Sequence, residues 1–316
     1  MATSPEPPAD PEPQPSTPSG SDSAPSNGNG LSLKDLHLLT AARGLRSHPT
    51  SVDGDSEAYH HSAYGSIGEE SLDFDLEQEP EDLDLLSVDA VHRFIGSEKH
   101  HCNGVPRAEV LARVAGTGLA PWEIHRPQKF IRELVLRRGF SGRVLDAGCG
   151  IGDNALYVAK ACPAAEVTAV DVVPRCLEFA HAKAGIRNMR GKVDFVVADL
   201  TEQDPAKLPP ALQRDHFFDV VLDSSTFHCF GDEARSGYQS TLRRLVRPGG
   251  VVYMNCMSED ETRPGGPGRV PVADIKAAFN PFTGWEVEAV EDSVVELHPT
   301  FWAGRGRARL YTIRRL

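Results

Sequence analysis

The sequence lacks any apolar run of the ~18 residues that a membrane-spanning helix needs, and its six cysteines form no C-x-x-C pair. We therefore expect no membrane anchor, and reduced, mostly structural thiols in a reducing compartment. The N-terminal stretch also lacks the apolar core of a secretion signal, because it is acidic and rich in proline. These absences predict a cytoplasmic protein.

The sequence also has no excess of basic residues. The formal charge is −12, and residues 1–104 hold 19 Asp/Glu against 5 Lys/Arg, so the rest of the chain carries only about +2. A near-neutral domain lacks the positive surface that binds nucleic acid. We expect no nucleic-acid partner, and we expect the acidity to belong to an N-terminal leader.

That leader has few large apolar side chains. Residues 1–30 are mostly Pro, Ser, Gly, Asn and acids, a composition that predicts disorder. Ser32–Gly44 and Ser87–Gly96 are short helix candidates, and they could be docking helices, a lid, or a weakly structured tail. We place the domain boundary near residue 105, with a largely disordered acidic leader over 1–104 and one domain over 105–316.

The sequence pattern changes from residue 106 onward, where predicted strands alternate with predicted helices. This alternation predicts an α/β fold, a Rossmann-like, seven-stranded, mostly parallel sheet with helices on both faces. The last two strands are close in sequence, which favours an antiparallel C-terminal hairpin at the sheet edge. Strands are predicted over 143–146, 166–170, 193–198, 218–223, 250–256, 285–296 and 307–314, and helices over 107–114, 128–138, 153–161, 174–184, 233–246 and 272–279.

A glycine-rich turn follows the first strand of this pattern. Gly148, Gly150 and Gly152 lie at alternate positions after Val144–Asp146 and lead into a helical run. Missing side chains let a ligand lie against the backbone, and the helix start offers free N–H groups. The spacing is not the G-x-G-x-x-G of a dinucleotide site. Asp146 would repel a pyrophosphate and favour a ligand with an ammonium and a sulfonium, such as S-adenosylmethionine.

The turn resembles the first motif of the class I S-adenosylmethionine-dependent methyltransferases, where it holds the methionine part of the cofactor. The resemblance assigns Asp146, Gly148, Cys149 and Gly150 to cofactor binding. A glycine-rich turn alone could equally be a plain strand–helix corner, so the cofactor assignment depends on the motifs that follow.

Acids end the next two strands. Asp171 lies about 25 residues after Asp146, close to the offset at which an acid meets ribose hydroxyls; the alternative is a cap on the helix that starts near Pro174. Val172 would then lie beside the adenine. The resemblance assigns Asp199 to the adenine amino group and the adjacent N–H, at Leu200, to a ring nitrogen, while Asp199 could also be a simple turn acid.

The fourth strand ends in an unusually polar run, Asp223-Ser224-Ser225-Thr226-Phe227-His228. Its end faces the switch point at which open α/β sheets bind ligands. Asp223 is predicted to line the methionine end or the acceptor. His228 is the best candidate for a catalytic base, because imidazole titrates near neutrality; a histidine packed in the loop is the alternative.

Two further segments extend the resemblance. Arg247–Gly250 resembles the "L-x-P-G-G" turn before the fifth strand. Pro121–Gln128 resembles the "P-W-x-I-G-x-P-Q" segment of small-molecule members, including thiopurine- and thiol-methyltransferase-like enzymes. There the segment folds over cofactor and substrate, which assigns Trp122 to the cofactor site. Here His125 replaces the usual glycine, so the shape of the loop is open.

The absence of motifs found in other methyltransferases narrows the range of methyl acceptors. No Asn-Pro-Pro-Tyr follows strand four, and we find neither the double-glutamate hairpin of an arginine methylase nor the metal-binding acids of catechol-type enzymes. We predict a metal-free methyltransferase that acts on a small molecule, with a thiol or thioether favoured and O- or N-methylation open. The alternative is a non-catalytic cofactor-binding protein that docks through its acidic leader.

Overall fold

The computed structural model describes residues 85–102 and 105–316, so the predicted helix Ser32–Gly44 lies outside the described residues. The helices are α1 Val88–Gly96, α2 Ala108–Val114, α3 Lys129–Leu136, α4 Asp153–Ala161, α5 Pro174–Ile186, α6 Asp232–Leu245 and α7 Val272–Ala278. The strands are β1 His101–Cys102, β2 Val105–Pro106, β3 Gly142–Ala147, β4 Ala165–Asp171, β5 Val193–Val197, β6 Phe218–Ser224, β7 Val246–Met257, β8 Trp285–Glu296 and β9 Arg305–Arg315.

Seven of these strands form one sheet in the order β5-β4-β3-β6-β7-β9-β8, and β1 and β2 form a small antiparallel pair. Strands β3 to β7 run parallel, whereas β9 runs antiparallel to β7 and to β8. The predicted fold class and the antiparallel C-terminal hairpin are therefore confirmed. Every predicted strand has a counterpart whose ends differ by at most four residues.

One predicted turn is wrong in detail. Arg247–Gly250 lies within β7, because that strand begins at Val246. The pairing of β6 with β7 shifts register between Phe218 and Val220. Gly249 takes a positive φ of 75° there. The segment is thus an irregularity inside β7. The bend that the sequence predicts before this strand lies within the strand.

Helices cover both faces of the sheet because the central strands are apolar on both sides. Val144 of β3 packs with α3, α4 and α5, whereas its neighbour Leu145 packs on the opposite face with α6 and α7. Successive side chains of a strand point to opposite faces, so a run with both positions apolar is buried twice. This double burial leaves only the strand ends available for polar chemistry.

The structure also bears on the state of the cysteines and on the expectation of no membrane anchor. All five cysteines whose side chains are described are unpaired. Among the residues that the structure covers, no helix combines the length and apolarity that crossing a membrane requires.

The helix candidate at Ser87–Gly96 is confirmed as α1, with the Ser87 side chain accepting a hydrogen bond from the Ala90 backbone N–H. Its apolar face does not lie free in solvent. Val91, Phe94 and Ile95 form a buried cluster with residues of α2 and with Trp122. Residues upstream of 105 therefore pack on residues downstream of it; the boundary at 105 stays a prediction.

A buried ion pair joins α4 to α5. The Lys183 ammonium lies 2.5 Å from one Asp153 oxygen, and the Arg187 guanidinium lies 3.0 Å from the other. The Lys183 side chain is fully buried. Burial alone would raise the pKa of Asp153, but the two cations hold it below its ordinary value. The pair fixes the start of α4, which is the helix that follows the glycine turn.

We predict that Lys183→Met destabilises the protein by about 3–5 kcal/mol, because it leaves a buried carboxylate without its main counter-ion. Urea unfolding monitored by circular dichroism measures the change. The matched control is Lys129→Met, which removes the exposed pair with Glu133 and should cost less than about 1 kcal/mol. Equal losses in the two variants would contradict a structural role for the buried pair.

Candidate functional site

A cavity opens where β3 and β6 part, outside the carboxyl ends of the parallel strands. This is the switch point of the sheet, since β3 connects to β4 on one side and pairs with β6 on the other. The structure brings most predicted site residues together on the cavity wall: Trp122, Gly148, Cys149, Gly150, Asp171, Val172, Asp199, Leu200 and His228. The buried Asp146 and Asp223 are not part of the wall.

The three glycines of the turn are glycine for two different reasons. A Cβ on Gly148 would lie 2.0 Å from Thr226 Oγ1, and one on Gly152 would lie 2.7 Å from the Cβ of Ala180 in α5. A Cβ on Gly150 would meet no atom within 4 Å. Because Gly150 lies on the cavity wall, its missing side chain leaves space for a ligand. The outer two glycines permit packing within the protein.

Asp171 ties the glycine turn to the end of β4. One of its oxygens accepts the Gly150 backbone N–H at 2.8 Å, and the other accepts the Val173 N–H at 2.9 Å. Burial raises the pKa of this carboxyl from its ordinary value. Hydrogen bonds from the Val173 and Gly150 amides, the Cys176 thiol and the Val172 amide act against that rise. Asp171 lies on the cavity wall, so ligand hydroxyls would share this carboxylate with the protein's own donors.

Asp199 and Leu200 follow β5 on the same side of the cavity. Asp199 Oδ1 accepts the backbone N–H of Thr201 at 2.8 Å and its hydroxyl at 2.7 Å. Asp199 therefore stabilises its own turn, as the alternative interpretation predicts. It also lies on the cavity wall.

Asp223 corrects the expectation that it lines the ligand. Its carboxylate accepts the backbone N–H groups of Thr226 at 2.8 Å and Phe227 at 3.1 Å, and the Tyr238 hydroxyl at 2.9 Å. The side chain is fully buried, and burial raises its pKa to about 6. Asp223 therefore shapes the polar loop after β6 from behind and leaves the cavity wall to the loop itself.

Asp146 also lies behind the wall. Both of its carboxylate oxygens are buried with no hydrogen-bond partner in the described part of the chain. Burial, followed by the nearby charges of Asp171 and Asp223, raises its pKa to about 8. Three acids close enough to repel one another form a site that a cationic ligand would relieve. An ammonium and a sulfonium fit this charge pattern, and the space at Gly150 fits a ligand against the backbone.

His228 is nearly fully buried and reaches the cavity from the loop after β6. Its Nδ1 accepts the backbone N–H of Met257 at 3.0 Å. That bond places the ring proton on Nε2, so the ring can donate from Nε2 but has no free lone pair. Burial, then the charges of Arg235 and Arg269, lowers its pKa to about 3. This tautomer disfavours the predicted role as a base.

Glu123 organises the loop before α3, a role that the sequence analysis missed. Its buried carboxylate accepts the backbone N–H groups of Gly116 at 2.5 Å, Gly118 at 2.6 Å and Ala120 at 3.3 Å. Burial raises its pKa to about 7. A single acid in an otherwise irregular loop was the only signal available, and it does not reveal which amides converge on it.

His125 answers the question left by the missing glycine. Its φ is +59°, the left-handed region in which glycine is favoured. A hydrogen bond of 2.7 Å between its Nε2 and the Gly118 carbonyl oxygen holds the ring in place. The loop therefore keeps a glycine-like conformation at this position, and Trp122 reaches the cavity wall.

The outer half of the cavity is apolar, and sequence analysis did not assign it. Its wall combines α1, the end of β7 with the loop after it, and the end of β8 with the segment after it: Ile95, Met257, Pro267, Val295, Leu297, Phe301 and Trp302. The His298 N–H donates to the Pro121 carbonyl at 2.7 Å, and Thr300 Oγ1 lies 3.1 Å from His92 Nδ1. Three segments far apart in sequence thus enclose one chamber.

Comparison with known proteins gives this geometry a context. Residues 144–250 match the family described as a methyltransferase domain. A 2-heptyl-1-hydroxyquinolin-4(1H)-one methyltransferase of Mycobacteroides abscessus is 34% identical over 129 residues, which cover 41% of this chain and 52% of that protein. A probable thiol methyltransferase 2 of Arabidopsis thaliana is 26% identical over 183 residues, which cover 58% of this chain and 76% of that protein.

The fold has a counterpart among solved structures. One from a study of the conversion of a disulfide bond into a thioacetal group during echinomycin biosynthesis superposes with a TM-score of 0.54 and 26% identity, covering 65% of this chain and 89% of that one. The chain spans about half the length of the first relative and about three quarters of the second. Over residues 144–250 the chain carries a class I methyltransferase domain, whose cofactor is S-adenosylmethionine.

Proposed function

We propose that this protein transfers a methyl group from S-adenosylmethionine to a small-molecule acceptor, with the sulfur of a thiol favoured over oxygen or nitrogen. The observation that carries the proposal is one continuous cavity. It joins the glycine turn and its acids to an apolar chamber at the ends of β6 and β7. Similarity to the probable thiol methyltransferase of Arabidopsis thaliana supports sulfur as the acceptor atom.

We assign the cofactor and the acceptor to different halves of the cavity. We assign the ribose hydroxyls to Asp171, and the adenine to Val172, Asp199 and the Leu200 backbone. The methionine part would lie along Gly150, with the buried carboxyl group of Asp146 behind it. The cofactor supplies an already activated methyl group, so the protein's task is to align the acceptor and exclude water.

The outer chamber suits that task. Its apolar wall would enclose a small molecule, and polar groups such as His228 and Ser225 would orient it. Cofactor binding without turnover would instead favour the non-catalytic alternative, in which the same fold only binds and docks.

A panel of acceptors tests the proposal directly. The full chain is incubated with S-adenosylmethionine and with thiols, thioethers, phenols, amines or halides, and release of S-adenosylhomocysteine is measured. We expect turnover with at least one thiol. Tight binding of S-adenosylhomocysteine together with no turnover across the whole panel would reject the enzyme and leave the binding protein.

A pair of glycine variants tests the cofactor site. Gly150 and Gly191 both have a positive φ, and a Cβ on either would meet no atom within 4 Å, but only Gly150 lies on the cavity wall. Alanine at either position should cost about 1–2 kcal/mol of stability through left-handed strain. Only Gly150→Ala should also place a methyl group in the ligand's space, where overpacking costs about 1–3 kcal/mol.

Isothermal titration with S-adenosylhomocysteine measures the difference. We expect Gly150→Ala to bind roughly 10-fold to 100-fold more weakly, and Gly191→Ala to bind like the unaltered protein. Equal affinities in the two variants would remove Gly150 from the cofactor site.

Substitution of Asp171 should affect both the ligand and the turn. Asp171→Ala removes a charged acceptor from the ribose, a bond worth about 1.5–3 kcal/mol, and leaves the Gly150 and Val173 N–H groups without their acceptor. We expect S-adenosylhomocysteine to bind at least roughly 10-fold more weakly, with a lower melting temperature. Asp171→Asn should be milder in both, because its amide oxygen keeps one acceptor. Unchanged affinity in Asp171→Ala, measured by titration, would contradict the assignment.

A further inference from the structure

Trp302 has a backbone conformation that suits glycine. Its φ is 49°, and the next two residues, Ala303 and Gly304, have φ values of 52° and 81°. This left-handed region is strained for a bulky side chain, whereas glycine adopts it readily. Of the three positions, only Gly304 carries the residue that avoids the strain. The largest side chain in the amino-acid set thus lies where it destabilises the backbone.

Hydrogen bonds hold this conformation in place. The Gly304 N–H donates to the Phe301 carbonyl at 2.9 Å, and the Leu297 N–H donates to the Gly304 carbonyl at 2.8 Å. The Arg263 guanidinium donates to the Trp302 carbonyl at 2.7 Å. These bonds tie the segment after β8 to itself and to the loop after β7. The side chain of Trp302 therefore leaves the backbone in a fixed direction.

The loop after β7 is shaped to receive the indole ring. A Cβ on Gly266 would lie 2.5 Å from Trp302 Cη2, so the missing side chain makes room for the ring. The guanidinium groups of Arg263 and Arg269 lie over the ring, 5.0 Å and 5.3 Å from its centroid, where a π face attracts cations. Arg269 also donates to four backbone carbonyls of its own loop, which stabilises the loop around the ring.

The same ring forms part of the cavity wall. Trp302 and Gly266 both lie on the wall of the outer chamber, and the Phe301 ring lies beside Trp302 with the two centroids 4.9 Å apart. Arg263 and Arg269 contact the ring but are not on that wall. A ligand in the chamber would therefore meet the apolar ring and not the two charges.

Packing within the protein does not by itself account for this residue. Trp302 packs against a small apolar cluster that includes Met257, Val295 and Leu297. Other apolar side chains of suitable volume can usually fill such a cluster, and most of them would be no more strained here than tryptophan. Strained residues concentrate at ligand sites, where the surrounding structure fixes them for a purpose. A fixed flat ring on a cavity wall fits that pattern.

We propose that Trp302 is the specificity-determining residue of the outer chamber, and that its fixed ring limits the length of the apolar part of a methyl acceptor. This inference rests on the proposed function, because it takes the outer chamber as the place of the acceptor. A longer acceptor has to displace a ring that Gly266, Arg263 and Arg269 hold in place, or extend into solvent. Trp302 itself takes no part in the transfer of the methyl group.

Linear 1-alkanethiols of increasing length test this limit by binding alone. Each thiol from 1-butanethiol upward is titrated into the full chain saturated with S-adenosylhomocysteine, and the heat of binding is recorded. Every methylene that the chamber buries should raise the affinity about 4-fold. We expect this rise to continue up to one chain length and to stop there, where the thiol reaches Trp302.

Two variants of Trp302 reduce the ring in steps. We expect the chain length at which the rise stops to increase in Trp302→Phe, and to increase further in Trp302→Ala. The matched control is Ala303→Gly, at an exposed position next to Trp302 that is not on the cavity wall. It relieves the left-handed strain without changing the ring, so it should raise the melting temperature and leave the limiting chain length as it is.

A purely structural role for Trp302 predicts a different result. Lost packing would lower the melting temperature and weaken the binding of all thiols in parallel, with the same limiting length in every variant. That outcome would overturn the proposal, as would the failure of the unaltered protein to bind any of the thiols. The milder variant, Trp302→Phe, decides the question by itself if Trp302→Ala does not fold.

Titration of S-adenosylhomocysteine into the same preparations separates this inference from the proposed function. Loss of cofactor binding by the unaltered protein, or no turnover across the whole acceptor panel, rejects the proposed function. Intact cofactor binding together with an unchanged limiting length in the Trp302 variants rejects only the role of Trp302.

Discussion

The site depends on one close contact between two strand ends. Thr226 Oγ1 donates to the Ala147 carbonyl at 2.7 Å, and it lies 2.0 Å from the position that a Cβ of Gly148 would take. This contact presses the loop after β6 against the glycine turn after β3. Asp223 holds the same loop from behind through the Thr226 and Phe227 amides. Because both ends are fixed, His228 and the backbone of Gly150 face one cavity.

Periodicity and glycine spacing predict most of the framework because they act locally. The apolar pair Val144 and Leu145 buries a strand on both faces, and that pattern is visible without any knowledge of partners. Three glycines after such a strand predict the turn. Their separate reasons are not visible, since the atoms that exclude a side chain belong to Thr226 and Ala180, distant in sequence.

The missed parts of the site depend on contacts that cross the chain. Asp171 and Asp223 look alike in sequence, as acids at or near strand ends, yet Asp171 lies on the cavity wall and Asp223 is enclosed by its own loop and Tyr238. The difference arises from whether the following residues fold back over the carboxylate. Ile95 reaches the cavity only because α1 packs on α2 and Trp122, and local patterns carry no information on that docking.

The charges behind the glycine turn bear on the cofactor. Burial, followed by the charges of Asp171 and Asp223, raises the pKa of Asp146 to about 8, and a cationic ligand beside these acids would favour their ionised forms. A sulfonium held there would lose its charge as the methyl group leaves, and walls that exclude water favour a loss of charge along the reaction path. S-Adenosylhomocysteine keeps the ammonium and the ribose hydroxyls that we assign to this end of the cavity, so the product loses only the part of the attraction that the sulfonium supplied.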